Sequence, residues 1–185
     1  LYRSCNAGWY ENHEWNTLVS RYPGIVFQQK HSHTLFTQDE LPFELSDLPT
    51  SFSKFRRLIE PITASPPTLR PPSMPPSPSP EVASEFLKTN IHEKNSCTFE
   101  GGENAGHQHL NSYFSQKLAS SYKLTRNGLD GMDYSTKFSP WLSNGCLSVR
   151  SVIARLRDYE NDIESNDSTY WIYFELLWRE YYQWY

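Results

Sequence analysis

Between Pro61 and Pro80 the chain reads "PITASPPTLRPPSMPPSPSP", and this run holds nine of its thirteen prolines. Each proline fixes φ and lacks an amide proton, so the run can neither continue a helix nor occupy the middle of a sheet. With Ser and Thr between the prolines, it favours extended, solvated backbone and forms no core. A chain of 185 residues is thereby divided, and each side must build structure from what remains. The tract suits a linker or loop. It also suits a ligand for an aromatic groove, although PxxP spacing arises by accident in any run this rich.

Enough apolar residues remain for one sizeable core or two small ones, at 37% of the chain. Six Trp and twelve Tyr raise the aromatic share to 15%, and about half of the terminal "TYWIYFELLWREYYQWY" is aromatic. A formal charge of −4 excludes a broadly basic nucleic-acid coat, so any DNA contact must come from a local cluster of Lys and Arg. Cys5, Cys97 and Cys146 are odd in number and show no CxxC spacing, which indicates neither a disulfide framework nor a zinc knuckle and suits a reducing cytoplasm. No apolar run of about 18 residues and no basic-then-apolar leader is present, so no membrane contact is expected. The chain starts at Leu1 without Met and stops at Tyr185 within a helical pattern, and it reads as part of a longer protein.

Before the tract, "GIVFQQKHSHTLFT" alternates in the manner of half-buried strands, with Pro23-Gly24 as a turn in front. "SFSKFRRLIEPI" predicts a short amphipathic helix with Phe52, Phe55 and Ile59 on one side. These are too few elements for a complete α/β domain. After the tract, "ENAGHQHLNSYFSQKLASSY", "VRSVIARLRDYENDI" and the aromatic terminal segment all predict helices. Val149, Val152, Ile153, Leu156 and Tyr159 form one apolar stripe.

Several motifs carry no chemistry. His107 and His109, two apart on a helix, point about 200° apart and cannot share a metal. His31 and His33 share a face of the expected strand, but two ligands are short of a metal site. Gly101-Gly102 and "NGLDG" are punctuation between helices. Ser139-Pro140 is a good helix start, with the Ser as cap, and Ser135, Thr136 and Lys137 just upstream could complete a phosphate cradle. On the residues alone, both the cap and the cradle stand.

The order "FEGGENAG", "YKLTRNG", "DYSTKFSPWLSNGCLS", "YEN", "NDSTYWIYFELLWREYY" resembles the photolyase and cryptochrome family, most closely its cryptochrome-DASH branch. The resemblance covers about Phe99 to Tyr182, with a weaker match in "TLFTQDELPFELSDLPTSFSKFRR". It implies a mainly α fold: the N-terminal helices of a photolyase-type FAD-binding domain, preceded by the tail of an α/β antenna domain. The implied divisions are residues 1–48 for the antenna tail, 49–95 for a Pro-rich interdomain linker and 96–185 for the first part of the flavin domain.

By the same resemblance, Tyr122, Ser135, Thr136, Lys137, Phe138, Ser139 and Arg179 contact FAD, the loop residues at its phosphates. Glu175 and Trp178 act at the lesion, and with Tyr182 they contact DNA. The implied reaction is light-driven repair of cyclobutane pyrimidine dimers in single-stranded DNA by a monomer, with methenyltetrahydrofolate as antenna and its site largely outside this stretch. A blue-light receptor would need the same flavin motifs. The stretch by itself is expected to bind no flavin. A plainer reading of α-helical spacing makes Glu175 and Arg179 an ordinary i,i+4 salt bridge and Trp178 a core ring.

Overall fold

A computed structural model describes residues 1–64 and 99–185. From residue 65 the proline tract, and Cys97, lie outside the described residues. At the N-terminus, β1 (Tyr2–Ser4) and β2 (Gln28–Lys30) pair in parallel, with Arg3 opposite Gln29, across the crossover helix α1 (Trp9–Arg21). Parallel strands need such a crossover. The Arg3 guanidinium lies 4.6 Å over the ring of Trp15, the buried residue of α1, and donates to the Glu11 carbonyl (2.6 Å) and to Asn12.

The expected turn at Pro23-Gly24 is present, but the alternating run after it yields a strand of only three residues, all exposed. The ladder ends at Ser4 opposite Lys30, with a last bond from the Cys5 amide to the Lys30 carbonyl (2.9 Å), and the chain from His31 to Phe36 leaves the sheet. His31 and His33 therefore lie past the strand end, where strand alternation no longer fixes their faces.

Two short 3₁₀ turns lead to α2 (Phe52–Ile59), which buries Phe52, Phe55 and Ile59 as its spacing predicts. Next among the described residues comes α3 (Glu103–Ser115). The helix expected to run on to Tyr122 breaks after Ser115: Lys117 is left-handed (φ 58°), a 3₁₀ turn follows over Leu118–Ser121, and α4 (Tyr122–Thr125) comes after it. The break carries the Ser120 hydroxyl to within 2.5 Å of Tyr159 Oη.

A short α5 (Ser139–Ser143) precedes α6 (Val149–Asp162), whose five buried residues are the five of the predicted stripe. Ser148 caps α6 by accepting from the Arg150 amide. The last helix, α7 (Asp167–Trp184), starts at an Asn166–Thr169 capping box and packs against α2, α4 and α6.

One buried side chain of α7 is charged. Glu180 is fully buried and accepts from the amides of Leu35 (2.7 Å) and Phe36 (3.2 Å) and from the indole of Trp184 (2.8 Å). Burial raises its pKa against the pull of these donors. Arg179 donates to the His33 carbonyl, so two adjacent residues of α7 fasten residues 33–36 as a strap. Among the described residues no helix is long and apolar enough to cross a membrane, and Cys5 and Cys146 are free thiols.

Candidate functional site

Two glycines shape the loop after α4. A Cβ on Gly128 would lie 2.5 Å from Tyr134 Cγ, and Gly131 has φ 92°, so "NGLDG" is punctuation in the structure as well. The loop then enters Ser135, Thr136 and Lys137, all half-buried, with Lys137 left-handed at φ 51°. Phe138 is buried against Tyr113 (5.5 Å), His109 (5.7 Å) and Phe114 (6.5 Å). The Thr136 carbonyl accepts from His109 Nε2 at 2.8 Å.

Ser139 does not cap α5. Phe138 holds the cap position, no side chain caps the helix, and Ser139 is its exposed first residue. The buried Phe138 ring fixes the register: its carbonyl accepts from Trp141 (3.1 Å) and Leu142 (3.0 Å), leaving Ser139 one residue too late to cap.

Tyr122 opens α4 and is buried. Burial first, and then the charge of Glu175, push its pKa up to about 12, while Arg126 pulls the other way. Glu175 is paired with Arg126, Nη1 to Oε1 at 2.7 Å, and the Arg126 guanidinium lies 5.1 Å over the ring of Trp171. The predicted Glu175–Arg179 pair gives way to this one. Arg179 is turned toward the His33 carbonyl instead, and burial lowers its pKa.

Trp178 is half-buried, with one face stacked on Phe52 at 3.6 Å and 14° between planes. Tyr182, exposed one turn on, stacks at 5.7 Å. Trp171, Glu175, Trp178 and Tyr182 thus form one stripe along α7 at helical spacing.

The fold brings Tyr122 and Glu175 together where α4 packs on α7, and Phe138 seats the Ser135–Ser139 loop on Tyr113 of α3. Tyr113 contacts Phe138, and the Tyr122 hydroxyl adds to the rise in its pKa. Trp178 and Tyr182 lie farther along α7, and Arg179 faces the strap. Three residues at this site carried no role in the sequence reading. Arg126 stands four residues after Tyr122, a spacing that places both on one helical side. Glu180 falls on the buried stripe of Tyr173, Leu176, Leu177 and Tyr181, where a carboxylate signals a buried partner. His109 had no such signal.

The buried side chains suit a polar ligand. Tyr113 Oη and Trp171 Nε1 are buried without a hydrogen-bond partner among the described residues. Both are near this site, Tyr113 beside Phe138 and Trp171 beneath Arg126.

No protein-family model matches the chain. Over all 185 residues it is 46% identical to the cryptochrome DASH of Idiomarina loihiensis, covering 41% of that protein. It is 47% identical to the cryptochrome DASH of Vibrio parahaemolyticus, again over 100% of this chain and 41% of the relative. Among solved structures, a cryptochrome from Synechocystis sp. superposes with a TM-score of 0.77 at 37% identity, over 98% of this chain and 40% of that one. A class III photolyase from Agrobacterium tumefaciens, 18% identical, shares the fold with a TM-score of 0.66 over 97% of this chain and 39% of that one. The mainly α architecture is therefore that of these proteins, and the chain spans about two fifths of the length of the curated relatives it matches.

Proposed function

Because the chain belongs to the photolyase and cryptochrome family, in its cryptochrome DASH branch, we propose that it supplies one side of an FAD site in a light-driven DNA-repair flavoprotein. The observation that carries this reading is the Phe138 ring, buried against Tyr113, Phe114 and His109, which holds the Ser135–Ser139 loop on α3. In this reading Ser135, Thr136, Lys137 and Ser139 hold the phosphates, and Phe138 anchors the loop. Tyr122 bounds the rest of the flavin's surroundings, and Arg179 would join it only by releasing the His33 carbonyl. The unpartnered Tyr113 hydroxyl supports a polar occupant there.

FAD, when bound, supplies light-driven electron transfer. The protein's share is to place a cyclobutane pyrimidine dimer, extruded from single-stranded DNA, against the α7 stripe. Trp178, stacked on Phe52, and the exposed Tyr182 stacked beside it supply the aromatic surface, and Glu175, held by Arg126, accepts from a pyrimidine edge. Residues 1–48 belong in this proposal to an antenna domain, 49–95 to the interdomain connection and 96–185 to the flavin domain. Methenyltetrahydrofolate is the antenna, and its site lies largely outside these residues.

The test is made in the protein completed to its relatives' length. Replacing Ser135, Thr136 and Ser139 together by Ala should release flavin, seen as loss of its visible absorption, while the melting temperature falls little. Flavin retained at the unmodified level would remove the loop from the phosphates. A second reading, a blue-light receptor with a structural Trp178, draws support from the Phe52 stack. Trp178→Ala separates the two. Repair predicts binding of dimer-containing single strands weakened roughly five- to a hundredfold with flavin kept. The receptor reading predicts unchanged DNA binding and a lower melting temperature.

A further inference from the structure

His109 bears no metal in the sequence reading, yet the structure places it against the loop. Half-buried on α3, it stacks on Trp141 of α5 at 4.9 Å and 25°, and meets Phe138 edge-on. Its Nε2 is 2.8 Å from the Thr136 carbonyl oxygen. A carbonyl oxygen only accepts, so Nε2 carries the proton and donates it.

That bond has a consequence on the far side of the peptide plane. In a trans peptide the carbonyl and the next N–H point in opposite directions, and no peptide bond among the described residues is cis. Holding the Thr136 oxygen toward α3 therefore turns the Lys137 N–H away from α3. Lys137 is left-handed (φ 51°) and Phe138 right-handed (φ −75°, ψ −18°). This alternation gathers three successive amides, those of Lys137, Phe138 and Ser139, around a concavity suited to an anion.

We propose that His109 is a positioning residue: its Nε2–H fixes the Thr136–Lys137 peptide plane, so that the amides of residues 137–139 converge on a diphosphate. The inference rests on the reading that this loop holds the phosphates of FAD. It adds a residue of another helix that touches no ligand and acts through one backbone carbonyl. The ring stack on Trp141 sets the imidazole plane, and the hydrogen bond passes that orientation to the loop.

Inorganic pyrophosphate is the probe, titrated into the protein completed to its relatives' length and freed of flavin, while the amide resonances of Lys137, Phe138 and Ser139 are followed by NMR. His109→Phe keeps a ring on Trp141 and removes the donor, whereas His109→Gln restores a neutral N–H at similar reach. Losing one oriented set of donors should weaken pyrophosphate about tenfold in the Phe variant, with the Gln variant within about threefold of the unmodified chain. Amides that stay still in the unmodified chain would overturn both the phosphate reading and this one. Equal binding in the Phe variant would overturn the positioning role alone. Equal loss in both variants would assign the effect to ring charge and overturn it too. Ring ¹⁵N shifts of the unmodified protein give a measurement independent of variant folding, and a proton on Nδ1 instead of Nε2 would also end the proposal.

Discussion

The strand pair with its crossover helix and the helices beyond the strap are held together on different terms. Up to His33, Trp15 is the buried large side chain, and it is served by one arginine that lies over its ring and hydrogen-bonds across to α1. From Thr34 onward, buried side chains recur on the strap, α2, α3, α6 and α7, and aromatic rings contact one another from helix to helix. The first region has local order with little apolar burial behind it, while the second has a continuous core. Opening free energy follows burial, so the strand pair should open well below the cost of global unfolding.

The largest effect that would sharpen this contrast comes from Phe55→Ala, at a side chain with no exposed surface. A cavity there should cost about 3–5 kcal/mol and lower the melting temperature of the whole helical part. A loss confined to α2 in hydrogen exchange would break the claim of one continuous core.

Next in size is Glu180→Leu, which leaves three N–H donors facing an apolar side chain. A loss of about 3 kcal/mol is expected, with Glu180→Gln recovering part of it because one oxygen still accepts. Calorimetry of both variants checks this, and equal melting temperatures for the Gln and Leu variants would show that the strap is held by packing.

Alkaline titration should give a smaller effect. The pKa of Tyr122 is raised from 10.0 to about 12, so its neutral phenol contributes stability that is complete below pH 10 and is lost as pH rises through 12. Tyr122→Phe should remove that part of the alkaline fall, and chemical denaturation at stepped pH would show it. The smallest effect belongs to the strand pair. Arg3→Met should speed amide exchange in β1 and β2 about tenfold, equivalent to about 1.4 kcal/mol of local opening, and leave α6 and α7 untouched. A change in α7 would mean that the two regions open together.

The helices of the core were legible because each presents a stripe at helical spacing to a partner, as Val149 to Tyr159 does on α6 and Phe52 to Ile59 on α2. α1 was not legible, since Trp9, Tyr10 and Leu18 are exposed and no face is apolar enough to declare a helix. The alternation from Gly24 to Thr37 misled for another reason: period-two patterning says nothing of whether a neighbouring strand is long enough to pair. The break at Lys117 carries no Gly or Pro to mark it.

At the site, Ser139-Pro140 suggested a cap and Ser135, Thr136 and Lys137 just upstream a cradle, and packing of Phe138 removed the cap. That Tyr122 would meet Glu175 could not be seen in spacing, because they lie on separate helices, and the family resemblance gave each a role without pairing them. The choice of Arg126 over Arg179 as partner of Glu175 was set by the strap, a contact between distant parts of the chain.

The fastening at Glu180 also shapes how this protein can vary. It joins a side chain on one surface to main-chain amides on the other, so residues 35 and 36 contribute atoms that every amino acid except proline possesses. The bond itself asks nothing of those two side chains, which answer only to their own burial, whereas no compensating change at either can restore an acceptor lost from position 180. In an alignment the contact should appear as constancy in one column and no correlation with the other two, and methods that find neighbours by correlated substitution would pass over it.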